Sequence, residues 1–156
     1  MHKVLTAIAA AVTVLFIGIL APFWYGVWKD TDSLIDRAQV AAEAEDMLGY
    51  LRELKGNLEE HDMTEGYTAV IFKGPSKDLA LNYLAVVRLI ERLEGIVPLD
   101  KADTAYQVAL DDIRGTLREL PNPASGYVWV RSFWWMWGLI ALWVITVISW
   151  VRNDYY

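Results

Sequence analysis

Two long stretches without a charged residue frame the chain and limit what it can fold into. Val4–Trp28 has 25 residues and Ser132–Val151 has 20. At about 1.5 Å per residue, a helix of either length can cross a hydrocarbon core of roughly 30 Å. Residues 29–127 carry 19 acidic and 11 basic side chains. The pattern predicts two transmembrane helices flanking a water-exposed domain.

The first apolar stretch is expected to be a retained signal anchor. Met1-His2-Lys3 is a positively charged start, but the stretch is longer than a cleavable signal and no small-x-small site ends it. Lys3 and Arg152 favour cytoplasmic termini at a bacterial-type inner membrane. The expected layout is a signal-anchor helix (1–28), an extracytoplasmic helical domain (29–127), a second transmembrane helix (128–151) and a short cytoplasmic tail (152–156).

All eight tryptophans lie in or beside the two apolar stretches, and none lies in residues 29–128. Indole rings prefer the headgroup level, and an arginine beside a span can extend its guanidinium to the same level. Trp134, Trp135 and Trp137 point in different directions around one helix, so at least one should contact an intramembrane partner. The predicted interface anchors are Trp24, Trp28, Trp129 and Arg131.

Small residues recur in both apolar stretches at spacings that let helices approach closely. They are expected to pack the two spans together or to contact another copy, although alanine and glycine are also common in any membrane helix. The candidate packing positions are Ala7, Ala11, Gly18, Gly138 and Ala141.

The middle segment predicts three amphipathic helices, because apolar residues recur every three or four positions. Each helix has one narrow stripe, and many stripe residues are alanine, so we expect a thin core supported by oligomerisation or by another membrane protein. The helices are predicted from an Asp32-Ser33 N-cap to about Glu60, from Gly74-Pro75-Ser76 to Gly95, and from Pro98 to Pro121.

Three upright helices would leave the chain far from the membrane before the second span, so the number of traverses should be even. We expect residues 61–75 to return as an extended segment, because they lack a helical stripe. A break in the first helix at Gly49 or Gly56, or a domain lying flat on the membrane, is the alternative. The expected fold class is an all-α membrane protein, with two transmembrane helices flanking an antiparallel helical bundle of three to four segments.

Catalytic chemistry has little basis in this sequence. There is no cysteine, and the two histidines are His2 and His61. The cluster Glu59-Glu60-His61-Asp62 resembles a metal site in composition, but four adjacent residues at a helix end point around its axis. We expect no enzyme, no catalytic or metal-binding residues, no cofactor and, for an acidic domain, no nucleic-acid partner.

The segment between the first two predicted helices is the candidate recognition surface, because ligand contacts concentrate on loops held by a rigid scaffold. Its two lysines precede a helix, where an anion or lipid headgroup could bind, although a plain turn explains the same residues. A small-molecule ligand is possible but has no motif of its own. The candidate residues are Gly66, Tyr67, Phe72, Lys73, Gly74 and Lys77.

The order of a span, a helical extracytoplasmic segment and a second span resembles in outline the input half of bacterial chemoreceptors and sensor kinases. Only Arg152–Tyr156 follow the second span, so a sensor of this layout would signal through a partner. The leading hypothesis is a non-enzymatic membrane scaffold or accessory subunit that presents its domain for protein–protein interaction. An accessory sensor and a phage-type lysis, exclusion or immunity protein are the alternatives.

Overall fold

The computed structural model of the protein describes residues 2–154, and its regular elements are helices. The described residues contain no β-strand, only an isolated bridge between Tyr67 and Asp78. The expected all-helical fold is confirmed. The helices are α1 (His2–Asp30), α2 (Asp32–Val40), α3 (Ala44–Glu60), α4 (Leu79–Ile96), α5 (Thr104–Glu119) and α6 (Ala124–Asp154), with a 3-10 turn at Pro75–Lys77.

The chain divides into two compact units. Residues 2–25 and 131–154 form a two-helix unit, and residues 26–130 form the helical domain. The chain contains two helical stretches long and apolar enough to cross a membrane, one including α1 and one including α6.

The domain helices pack in a cyclic order, in which α3 contacts α2 and α4, and α5 contacts α2 and α4. The apolar stripe of each helix faces inward, and neighbouring helices cover its side chains. Larger residues than alanine fill most of this core, which is therefore less thin than the sequence suggests. The largest fully buried side chains of the domain include Leu34, Met47, Leu51, Leu54, Met63, Leu89, Leu93, Leu110, Ile113 and Leu117.

The helix predicted from Asp32 to about Glu60 is in fact two helices. The break lies at residues 41–43, whereas Gly49 and Gly56 are inside α3. Arg114 donates to the carbonyls of Ala41 and Ala42 at 2.8 and 3.0 Å, and the Tyr106 hydroxyl accepts from the Ala44 N–H at 2.9 Å. Side chains of α5 thus satisfy the backbone groups that the break leaves unpaired.

The extended return predicted for residues 61–75 is also wrong, because α3 itself returns. The side chain of Asn57 donates to the Asp30 carbonyl at 2.7 Å, and the Tyr127 hydroxyl donates to the His61 carbonyl at 2.6 Å. The end of α3 therefore lies beside the segments through which the chain enters and leaves the domain. Residues 61–78 form turns rather than a traverse.

Aspartates begin α4 and α5. The Asp78 carboxylate accepts from the N–H groups of Ala80 and Leu81, and the Asp103 carboxylate accepts from that of Ala105. These bonds satisfy donors that a helix leaves unpaired in its first turn. The second and third predicted helices exist, but they begin later than the Ser76 and Pro98 boundaries, and Gly95 lies inside α4.

Asp32 does not cap its own helix as predicted; it lies in the first turn of α2 and caps α6. Its Oδ1 accepts from the Ala124 N–H at 3.1 Å and from the Thr31 hydroxyl at 3.3 Å. Asp32, Thr31 and Ala124 are all buried. Burial raises the pKa of the Asp32 carboxyl above its ordinary value, and the bonds from Ala124 and Thr31 oppose that shift. This contact joins the first helix of the domain to the helix that leaves it.

We predict different losses of stability for two substitutions of Asp32. Asp32→Ala should destabilise the fold by about 1–2 kcal/mol, because it leaves the buried Ala124 N–H without an acceptor. Asp32→Asn should retain most of the stability at neutral pH, because the amide keeps an acceptor oxygen and removes the buried charge. Thermal unfolding of both variants in mild detergent checks this pair.

The same carboxyl predicts a pH dependence with a definite sign. A group whose pKa is raised by folding contributes stability below its unfolded pKa of about 3.9, and that contribution is lost as pH rises through the folded value. The wild type should therefore gain stability relative to Asp32→Asn as the pH is lowered from neutral. A difference that does not change with pH would show that the carboxyl is not buried as described.

Candidate functional site

The residues predicted as a recognition surface lie together in one closed loop, Gly66–Asp78, called here the 66–78 loop. The Leu79 N–H donates to the Gly66 carbonyl at 3.0 Å, and the Thr68 N–H donates to the Lys77 carbonyl at 2.8 Å. Gly66 has a φ of 95°, which favours glycine. These contacts close the loop at its base. Residues 69–76 project from this base.

The tip of the 66–78 loop is apolar and exposed. Ile71 is 76% exposed and Phe72 is 86% exposed, whereas most large apolar side chains of the domain are buried. The Lys73 ammonium lies 5.1 Å from the centre of the Tyr67 ring, in cation–π range. The phenol thus holds one lysine beside the apolar tip.

The base of the loop is fixed to the first turn of α6. A methyl group at Gly126 would lie 2.7 Å from the Thr68 Cβ and 2.8 Å from the Thr68 carbonyl oxygen. Only hydrogen therefore fits on the Gly126 Cα at this contact. Sequence reasoning missed Thr68, Ile71 and Gly126, because nothing local in the sequence links Thr68 to a glycine 58 residues later.

The start of α4 is not an open anion site. The Asp78 Oδ1 accepts from the N–H groups of Ala80 and Leu81 at 2.9 and 3.3 Å. The donors that an anion would use are therefore occupied by a carboxylate of the chain. Lys73 and Lys77 flank the loop tip without a helix terminus to assist them.

In the two-helix unit, the inward face of α1 differs from the predicted small-residue face. Leu5, Ala9, Thr13, Phe16 and Leu20 are its less exposed residues and recur every three or four positions. The Trp143 Nε1–H donates to the Thr13 hydroxyl at 3.0 Å, which links α1 to α6. This contact joins the two helices by a polar bond, of a kind that helps hold membrane helices together.

The predicted packing residues lie on the outer surface of this unit. Ala7, Ala11 and Gly18 of α1 are exposed, as are Gly138 and Ala141 of α6. A methyl group at Gly18 or Gly138 would meet no atom within 4 Å. In the structure, α1 therefore does not pack against α6 through these residues. Their contact with another copy of the chain stays a prediction.

The tryptophan cluster is exposed as well. Trp134 is 80% exposed, Trp135 75% and Trp137 54%. Phe133 makes edge contacts with Trp134 and Trp137, with ring centres 5.5 and 6.1 Å apart. Trp135 lines an apolar surface groove, together with Val12, Leu15, Phe16, Ile19, Leu20, Phe23, Arg131 and Ser132. The cluster is thus available to a partner or to lipid.

The predicted interface anchors lie near the ends of the apolar stretches. Trp24 is 43% exposed and Trp129 is 50% exposed, whereas Trp28 is half-buried. Arg131 is exposed at the groove beside Ser132. These positions suit side chains that meet headgroups.

Charged side chains elsewhere in the domain pair with one another. Arg52 binds Glu94 at 2.6 Å, at an open cleft of about 440 Å³ between α3 and α4. In the run of residues 59–62 at the end of α3, Glu59 binds Lys55 and Tyr83, whereas His61 faces Asp30. No group of three or more metal-ligating side chains converges among residues 2–154.

Comparison with models of known protein families, with curated proteins and with solved structures gives no match to this chain.

A pair of glycine substitutions tests the attachment of the 66–78 loop. Gly126→Ala should destabilise the domain by about 1–3 kcal/mol, because its methyl group forces the Thr68 backbone to move. Gly115→Ala is the matched control: it lies within α5, meets nothing within 4 Å, and should stabilise by about 0.5–1 kcal/mol through helix propensity. Thermal unfolding in mild detergent measures both, and equal stabilisation by the two would contradict the described contact.

Proposed function

We propose that the protein is a non-enzymatic, two-span membrane scaffold or accessory subunit that presents an acidic helical domain to a protein partner. The observation that carries this proposal is the exposed apolar surface of the two long helical stretches. In the most apolar part of each stretch, only 6% of the residues are buried inside the chain. Such a surface is costly in water and suits a bilayer, where backbone groups are satisfied within each helix.

The proposed topology has both termini in the cytoplasm and residues 29–127 outside, at a bacterial-type inner membrane. Lys3 directly precedes the first apolar stretch and Arg152 directly follows the second. Basic residues are enriched on the cytoplasmic side of membrane spans, which supports this orientation. The domain segment is long enough to translocate largely regardless of its charge, so its net charge of −8 is compatible with either side.

The four domain helices are proposed to act as an antiparallel bundle that folds on its own core. Two contacts support opposite directions for α3 and α4: Glu59 near the end of α3 accepts from the Tyr83 hydroxyl near the start of α4, whereas Arg52 earlier in α3 pairs with Glu94 near the end of α4. A domain that covers its own stripes does not need an oligomer for its core. Beside the domain, a second proposed partner surface is formed by the exposed tryptophans of α6.

A polar pocket between α4 and α5 would favour a sensor function, but buried apolar side chains fill that seam. Leu89, Leu93, Leu110 and Ile113 are buried along these two helices. The polar cleft at Arg52 and Glu94 lies between α3 and α4 instead and is open to solvent. The scaffold is therefore the function that the geometry supports best.

The scaffold proposal predicts a partner, either a second copy or another membrane protein, that co-purifies in mild detergent. Replacing Trp134, Trp135 and Trp137 together by leucine should abolish this association, because these three side chains form the most exposed aromatic cluster of the unit. Trp150→Leu is the matched control, since Trp150 is 53% exposed on the same helix outside the cluster.

The measurement is chemical crosslinking in native membranes, followed by purification and mass spectrometry. Retention of the crosslinked species by the control and its loss in the triple variant would support the proposal. A folded protein that stays strictly monomeric, with no partner after crosslinking, would contradict it.

A further inference from the structure

We propose that the 66–78 loop docks on the anionic surface of the membrane that holds the spans, with Ile71 and Phe72 in the headgroup region. This inference rests on the proposed two-span membrane insertion. It gives the loop an occupant of stated chemistry, a bilayer containing anionic phospholipid.

The first observation is the pair of adjacent, large apolar side chains at the loop tip. Ile71 and Phe72 are 76% and 86% exposed. Val40, Leu81, Leu84 and Val108 are also exposed in the domain, but they lie on helices and no two of them are adjacent in the sequence. Scattered apolar residues are ordinary on protein surfaces, whereas adjacent ones at a projecting tip resemble the insertion elements of interfacial proteins.

The second observation is the charge of the loop. The 66–78 loop contains Lys73 and Lys77 and one acidic residue, Asp78, whose carboxylate caps α4, so its net charge is +1 within a domain segment whose net charge is −8. Lysines beside an apolar insertion bind anionic headgroups while the apolar side chains enter the interface. The Tyr67 ring, which holds Lys73, belongs to a residue type enriched at membrane interfaces.

The third observation is chain reach. Thr68 packs on Gly126, and Ser132, where the second charge-free stretch begins, is the sixth residue after Gly126. Six residues extend at most about 20 Å in any conformation. The polar region of each leaflet is roughly 5–8 Å thick, and the four residues that follow Thr68, ending at Phe72, can themselves reach about 13 Å. The loop tip is therefore within reach of the headgroups of the membrane that receives the second span.

The chain contains no cysteine, so single-cysteine variants give unique labelling positions for a test. Ile17→Cys, Phe72→Cys and Val40→Cys are labelled with an environment-sensitive fluorophore in the full chain. The proteins are reconstituted in phosphatidylcholine vesicles with and without phosphatidylglycerol. Quenching by a lipid-borne bromine and by aqueous iodide is then measured at each position.

Position 17 lies in the first apolar stretch and reports span insertion, and position 40 is the matched exposed control on the domain. We expect lipid-borne quenching at 17 and 72 and none at 40, with iodide quenching strongest at 40. Adding Lys73→Gln and Lys77→Gln to the Phe72→Cys chain should weaken lipid contact at 72 about fivefold per lysine in vesicles with phosphatidylglycerol. Circular dichroism verifies that each variant is folded.

The outcomes separate the two proposals. Lipid quenching at 17 with position 72 behaving like position 40 overturns the docking of the loop and leaves membrane insertion intact. Absence of lipid quenching at 17 overturns membrane insertion itself. Equal quenching at 72 with and without phosphatidylglycerol overturns the electrostatic part of the proposal. Shielding of 72 from iodide without lipid quenching indicates a protein contact and also overturns it.

Discussion

The fold of the domain depends on one constraint, which is that the chain enters and leaves it at the same end. The Asp32 carboxylate meets this constraint by accepting a hydrogen bond from the Ala124 N–H across 92 residues of sequence. A buried carboxylate is costly unless it is paired, and here the start of α6 supplies a donor and a favourable helix dipole. Tyr127 and His61 add a second link at the same end. The remaining helices are arranged so that the chain can return to these contacts.

An even number of traverses could be deduced from the sequence, but the way in which the chain achieves it could not. Alanine is the best helix former, so Ala41-Ala42 gives no local signal of a break. The break is stabilised by Arg114 and Tyr106, which lie more than 60 residues away. In the turns after α3, by contrast, the sequence gives a misleading local signal. The apolar run at residues 69–72 is β-prone in isolation, whereas in the structure it forms an exposed loop tip. Tertiary contacts override local propensity in both places.

The same limit applies to the candidate surfaces. Gly66, Gly74 and the lysines marked a loop correctly, because glycine and proline punctuate the chain locally. The attachment of that loop to Gly126 is a close approach between distant segments, which only the folded chain reveals. In the two-helix unit, small size suggested Ala7 and Gly18 as packing positions. The inward face of α1 is instead the face that carries Thr13, whose hydroxyl accepts a hydrogen bond from Trp143. Exposed small residues and tryptophans there remain surfaces for lipid or for another protein.

We propose that α1 and α6 cross the membrane and leave the whole helical domain on one side. Labelling of single cysteines by a membrane-impermeant maleimide in intact cells and after permeabilisation tests this claim most directly. Cysteines at Val40 and Gly115, in different domain helices, should react fully before permeabilisation, and a cysteine at Lys3 should react only afterwards. Reaction of positions 40 and 115 on opposite sides, or of position 3 on the same side as both, would contradict the account.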